Sequence, residues 1–208
     1  MTPSRLPPGA SRYTWFVGVL IVLLAATIMV NTLRTEGVGS RGLAAGRPLP
    51  PFAAPLATGE LVGDVNVDRT GACRVRGAGL LNSCELAERG PVALAFVATR
   101  SDRCLRELDS LERVRGRHGA VQVAAVVVRS DRDDARDLVR DHGWRFPVAY
   151  DRDGILANVF GVAVCPQVTF VLPGGRVAGT SVGELGARAL DARLGRLERR
   201  ARADGWRP

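Results

Sequence analysis

Four cysteines, Cys73, Cys84, Cys104 and Cys165, carry the softest nucleophiles in the chain. Cys104 follows Ser101 by three residues, with Arg100 and Arg103 close by. The local pattern places it in the first turn of a helix. There, unpaired backbone N–H groups and the helix dipole favour a thiolate, and both arginines would add positive charge. The same position equally suits a small buried hydrophobe, because a free cysteine is often simply core. Cys73 and Cys84 bracket a short, Gly-rich loop. In an oxidising compartment such a pair reads as a disulfide, and in the cytosol as two free thiols. Closing a loop of that size contributes about 3 kcal/mol in the chain-entropy model. Cys165 immediately precedes Pro166.

Other chemistry is poorly supported. The two histidines, His118 and His142, fall near helix ends, and no Cys/His cluster has the spacing of a structural zinc site. Asp131, Asp133, Asp134 and Asp137 alternate with Arg132 and Arg136 at a helix start, the pattern of a dipole-matched solvated turn rather than a calcium loop. No Gly-rich phosphate motif follows a strand. No metal and no cofactor is implied. The formal charge of +8 comes from 29 basic residues, all Arg, interleaved with 21 acids, and only 5% of residues are aromatic. Without a basic stripe or stacking platforms, nucleic acid is not an expected partner.

The elements that must position the cysteines follow from the hydropathy pattern. Of the 208 residues, 46% are hydrophobic and 24% charged, which excludes wholesale disorder and collagen-like repeats. Pro91–Thr99, Val121–Val128 and Phe146–Tyr150 are short apolar runs suited to buried strands. Asp102–Arg117 puts Leu105, Leu108, Leu111 and Val114 on one helical face. Asp131–His142 turns Ala135, Leu138 and Val139 inward. Ile155–Val159 is a helical turn. Gln167–Leu172 and Arg176–Val182 flank Pro173-Gly174-Gly175, a hairpin signal. Glu184–Arg202 closes the chain as an amphipathic helix with Leu185, Leu190, Leu194 and Leu197 on one side. Strands alternating with helices, then a hairpin and a helix, give an α/β fold with a mixed central sheet covered on both faces.

No charge occurs from Tyr13 to Leu33. A helix of that length spans roughly 30 Å, the hydrocarbon thickness of a bilayer. Tyr13 and Trp15 lie where an interfacial aromatic belt would be. A cleaved signal peptide is the competing reading, but the run is long for one and no A-x-A site follows. The expected organisation is a tail at 1–12, a transmembrane signal anchor at 13–33, a Gly- and Arg-rich linker at 34–48 and a folded domain at 49–204. Arginines flank the span nearly evenly, so charge alone does not set its orientation.

The residues also resemble a known superfamily. Gly46-Arg-Pro-Leu-Pro-Pro-Phe52, with Pro55 and Gly59, is similar to the N-terminal hairpin of the redoxins. Pro91–Thr99 resembles the strand leading to their active-site helix. Gly143–Gly154, then Phe160-Gly-Val, then Pro166-Gln-Val-Thr-Phe-Val-Leu-Pro-Gly-Gly-Arg176, resembles their later landmarks in order. The likeness is to the thioredoxin-like/redoxin superfamily: membrane-anchored TlpA/ResA-like thiol-disulfide oxidoreductases and AhpC/TSA-like peroxiredoxins. It implies a thioredoxin fold over about residues 46–203. It also makes the segment at about 63–89, with Cys73 and Cys84, an insert longer than the family needs.

The resemblance bears directly on the site. The family's Trp-Cys-x-x-Cys corresponds here to Arg100-Ser101-Asp102-Arg103-Cys104, so the first cysteine is Ser101 and the ordinary neighbouring disulfide cannot form. The proline matching Pro166 is cis in the family and faces the redox cysteines. By that correspondence, Cys104 is the expected nearest partner of Cys165. Three functions remain open. One is a membrane-tethered, extracytoplasmic thiol-disulfide oxidoreductase using Cys104 and Cys165, with Ser101, Pro166 and Arg100 around them. Its partners would be exported protein thiols or disulfides and a membrane or extracytoplasmic electron donor. Another is a peroxiredoxin-like peroxidase with Cys104 as peroxidatic cysteine and Ser101 orienting the peroxide. The third is a redox-inactive binding module in which Cys104–Cys165 is only a staple.

Overall fold

The computed structural model describes residues 10–34 and 41–208, which fall into two compact units. The tail expected at 1–12 lies outside the described residues up to residue 9, as does the linker over 35–40.

In the first unit, α1 (Ala10–Arg34) is one continuous helix. Its window Tyr13–Val30 has a mean hydropathy of 2.3, and every residue in it is exposed. Thr27, the one hydroxyl in the run from Trp15 to Val30, donates to the Leu23 carbonyl at 2.7 Å. That bond satisfies, within the helix, the hydroxyl that lies deepest in the apolar run.

The second unit is built on a five-stranded sheet of order β5-β4-β3-β6-β7. Its strands are β3 (Val92–Val97), β4 (Gln122–Val128), β5 (Val148–Asp151), β6 (Gln167–Leu172) and β7 (Arg176–Val182). β4 runs parallel to β3 and β5, while β6 and β7 are antiparallel additions. The central strands are apolar throughout because both faces are covered. Ala93, Ala95 and Val97 face one core with α3 (Asp102–Arg115), α4 (Arg132–His142) and α6 (Gly186–Ala203). Val92, Leu94 and Phe96 face the other, with Phe52, Leu86, Leu156 and Phe160. The second face is closed by the antiparallel pair β1 (Ala53–Pro55) and β2 (Leu80–Asn82), by α2 (Ser83–Arg89) and by α5 (Ile155–Val159). The β6–β7 turn uses Gly174 and Gly175 at φ 79° and 81°, a conformation that glycine adopts without strain.

From β3 onward the elements match the sequence reading with small shifts at their ends, whereas β2 and α2, inside the segment read as an insert at about 63–89, were not expected. The last helix begins at Gly186 rather than Glu184. The carboxylate of Glu107 accepts the N–H groups of Leu185 and Gly186 at 3.1 and 3.0 Å, and Glu184 turns away to pair with Arg106 and Arg103. The stretch expected as linker up to residue 48 is ordered at its end. Leu43 is buried, its carbonyl accepts from Thr180 at 2.8 Å, and Gly46 donates to Val177 at 2.8 Å. Residues 43–48 are therefore docked along β7.

Within the 63–89 segment, Asn66 exchanges two backbone hydrogen bonds with Ala53, and Val65 and Val67 pack on the second core. A single 3-10 turn at Ala72–Arg74 follows.

Candidate active site

β3 ends at Val97, and a short turn carries the chain into α3. Ser101 is the N-cap residue of α3, with extended backbone and no capping bond from its hydroxyl. Its carbonyl accepts the N–H groups of Cys104 and Leu105 at 2.9 and 3.1 Å. Cys104 thus lies in the first helical turn, with none of its surface exposed. Arg100 is exposed in the preceding turn.

Pro166 opens β6 from the opposite side of the site. The Cys165–Pro166 peptide is cis, and the Pro166 carbonyl accepts from Gly183 at 2.8 Å. Cys104 and Cys165, 61 positions apart, form a disulfide with Cα atoms 5.6 Å apart, inside the usual range for such bonds. The backbone N–H of Ala98 donates to the sulfur of Cys165 at 3.1 Å. Cys165 is partly exposed beside the exposed Ala163 and Val164. The structure thus joins the two cysteines that the resemblance paired, with Ser101 and Pro166 on the elements that carry them.

Arg103 is the exception. Its guanidinium lies 3.8 Å from Glu184, which also receives Arg106. Asp102 adds a negative charge to the same turn. The positive field expected around Cys104 from Arg103 is therefore shared with Glu184.

Cys73 and Cys84 form the second disulfide, Cα to Cα 5.5 Å, joining the 3-10 turn to α2. Beside it, Asn82 caps α2 by accepting from Cys84 and Glu85 at 2.8 and 3.2 Å, and donates to the carbonyls of Ala72 and Val75, both at 2.8 Å. The segment is fastened by a covalent bond and a buried amide together.

Sequence reasoning missed three groups. Glu107 is fully buried on α3, and one of its oxygens has no partner. Burial pushes its pKa up, against the two backbone N–H bonds that lower it. It sits on the stripe of Cys104, Leu108 and Leu111, and a carboxylate at that helical position was the available signal. Asn82 directly before Ser83 and Glu85 carried an N-cap signal. The Ala98 amide has no sequence signature.

The remaining polar candidates take structural roles. Asp131 caps α4 by accepting from Asp134 at 3.0 Å, and Asp133 and Asp137 pair with arginines. His118 bonds Asp191 at 3.0 Å, and His142 bonds Asp109 at 2.9 Å. Among the described residues no cluster of three or more His, Cys, Asp or Glu could hold a metal ion.

A parallel core with an antiparallel hairpin added at one side, and a sulfur in the first turn of the helix after its central strand, make this a thioredoxin-like fold. Comparison with solved structures agrees. The chain is similar to a secreted Mycobacterium tuberculosis disulfide oxidoreductase homologous to E. coli DsbE, with TM-score 0.55 and 18% identity over 70% of this chain and 95% of that one. It is similar to a thiol:disulfide interchange protein of the thioredoxin family from Chlorobium tepidum, with TM-score 0.57 and 15% identity over 74% and 98% of the two chains. It is also similar to the peroxidoxin BcpB from Mycobacterium tuberculosis, with TM-score 0.58 and 15% identity over 76% and 97%. No family model and no curated protein matches the sequence.

Proposed function

We propose that the protein is a membrane-tethered, extracytoplasmic thiol-disulfide oxidoreductase whose working couple is Cys104–Cys165. The observation that carries this reading is the bond between those two cysteines, where the α3 N-terminus meets the loop before β6. A helix-borne sulfur and a loop-borne sulfur stand in for the neighbouring pair that Ser101 prevents. The couple cycles between disulfide and dithiol, exchanging two electrons with the thiols or disulfides of exported proteins. A membrane or extracytoplasmic donor resets it. No cofactor is needed for that exchange.

Two disulfides in one small domain support an oxidising compartment. The apolar helix α1 supports a single-pass anchor through residues 13–33, with the C-terminal domain outside the cytoplasm. The peroxidase reading needs peroxide to reach Cys104, whose lack of exposed surface counts against it. Ser101 at the first cysteine position and the exposed Arg100 favour the binding-module reading, in which the bond is a staple.

A measured reduction potential separates a couple from a staple. A working couple lies well above about −300 mV and a structural bond below it. Turnover of a model protein disulfide should accompany the higher value and vanish in both Cys104→Ser and Cys165→Ser. A potential below that limit, with no turnover by the native chain, leaves the binding module.

A further inference from the structure

We infer that Cys165 is the exchanging sulfur of the couple and Cys104 the resolving one, so every mixed disulfide with a partner forms on the loop and not on the helix. This rests on the reading of Cys104–Cys165 as redox-active.

Access decides first. Thiol-disulfide exchange requires the incoming sulfur to approach the sulfur it attacks along the S–S axis. Cys104 exposes none of its surface and is packed with Val97, Leu108 and Val168 in one core. Cys165 is partly exposed, and Val164 beside it is 49% exposed. Cys165 packs on the edge of the same core, so a partner reaches it before it reaches Cys104.

Electrostatics point the same way. The Ala98 N–H already donates to the Cys165 sulfur at 3.1 Å. On reduction that bond becomes charge-assisted and favours a thiolate at Cys165. Cys104, in the first turn of α3, keeps what the helix terminus offers, which suits a sulfur that must leave as a thiolate.

The steps balance in both directions. In the reducing direction, the Cys165 thiolate attacks one sulfur of a substrate disulfide. The Cys165–substrate bond forms, the substrate S–S bond breaks, and the leaving thiolate takes a proton from water. The Cys104 thiol then loses its proton to solvent and attacks Cys165. The Cys104–Cys165 bond forms and the second substrate thiolate departs. The substrate gains two electrons and the couple loses them. In the oxidising direction, a substrate thiolate attacks Cys165 and expels Cys104 as the thiolate. A second substrate thiolate then breaks the mixed disulfide.

The test uses the full chain in detergent with the Cys73–Cys84 bond intact. Reduced Cys104→Ser should form a stable mixed disulfide with oxidised glutathione, mapped by mass to Cys165, about tenfold faster than reduced Cys165→Ser forms one at Cys104. A second measurement needs no variant. Substoichiometric iodoacetamide on the reduced native chain should label Cys165 before Cys104. If native protein turns over disulfides but Cys165→Ser is the faster trap, or Cys104 is labelled first, the role assignment is overturned and the couple stands. If neither variant traps and the native chain does not turn over, the redox reading falls and this assignment with it.

Discussion

Glu107, midway along α3, accepts the backbone N–H of Gly186 at 3.0 Å and so binds the helix carrying Cys104 to the start of α6. The contact is buried, and the other Glu107 oxygen has no partner. The flanking charges outside, Arg103, Arg106 and Glu184, pair among themselves. A carboxylate in such a place is costly to ionise, because burial removes its hydration and the two amide bonds only partly replace it.

That cost gives stability a pH dependence of known sign. Burial raises the pKa of Glu107 above its ordinary 4.5, and that of Asp151 above 3.8. Between the unfolded and the raised folded value, the native state holds more protons than the unfolded one. The contribution of Glu107 to stability is therefore complete below about pH 4.5 and is lost as pH rises through its folded pKa. Urea denaturation of the native chain and of Glu107→Gln should show the native chain losing stability relative to the variant as pH rises from 4.5. Parallel pH profiles would count against a Glu107 pKa raised by folding.

The segment closed by Cys73–Cys84 has two fasteners, and they should be separable. Replacing both cysteines by Ala should cost about 3 kcal/mol, the chain-entropy value for such a loop. Asn82→Ala removes the α2 cap and strands the carbonyls of Ala72 and Val75, for a similar loss of about 3 kcal/mol. Neither change touches the Cys104–Cys165 couple, so disulfide turnover per folded molecule should stay within about twofold. Denaturant midpoints and turnover measured together check this. A double-cysteine variant as stable as the native chain would mean the unfolded loop is already restricted.

The strands and helices from β3 onward were readable because their signals are local: apolar runs for β3 and β4, a leucine stripe for α3 and a Pro-Gly-Gly turn for β6–β7, while β2 and α2, three and seven residues long, carried too short a pattern. The pairing of Cys104 with Cys165 came from a resemblance and not from spacing, since 61 residues separate them. What stayed hidden depends on tertiary context. The docking of residues 43–48 on β7 uses backbone hydrogen bonds of Gly46 and Arg47 to Val177, which leave no residue-type signal, and one buried leucine, Leu43, in a stretch otherwise composed like a linker. The Ala98 amide reaches Cys165 only through the geometry of the turn after β3, which leaves no residue-type signature.

Membrane attachment predicts a simple partition. The full chain should stay with the membrane pellet through alkaline carbonate washing, and a chain lacking residues 1–34 should be found in the soluble fraction with unchanged disulfide turnover. The span is long and uncharged enough to cross a bilayer, and the second unit has two cores of its own. Release of the intact chain by carbonate would count against a spanning anchor, and release of a chain shortened at its N-terminus would argue for a signal segment that is removed.

Ser101 separates exchange from peroxide chemistry. Its hydroxyl makes no capping bond, and α3 is started by its carbonyl, which any residue would provide. Ser101→Ala should therefore leave disulfide turnover within about twofold and cost well under the roughly 1 kcal/mol typical of a lost N-cap. A peroxidase would behave differently. There the hydroxyl would orient the peroxide at Cys104, and its removal should lower peroxide turnover by about tenfold or more, in the range of a lost positioning group. Parallel assays of both substrates on native and Ser101→Ala protein decide the matter. Loss of peroxide turnover with intact exchange would put Cys104, despite its burial, back as the reacting sulfur, and equal retention of both activities would leave Ser101 as the small residue that fills the lost cysteine's place.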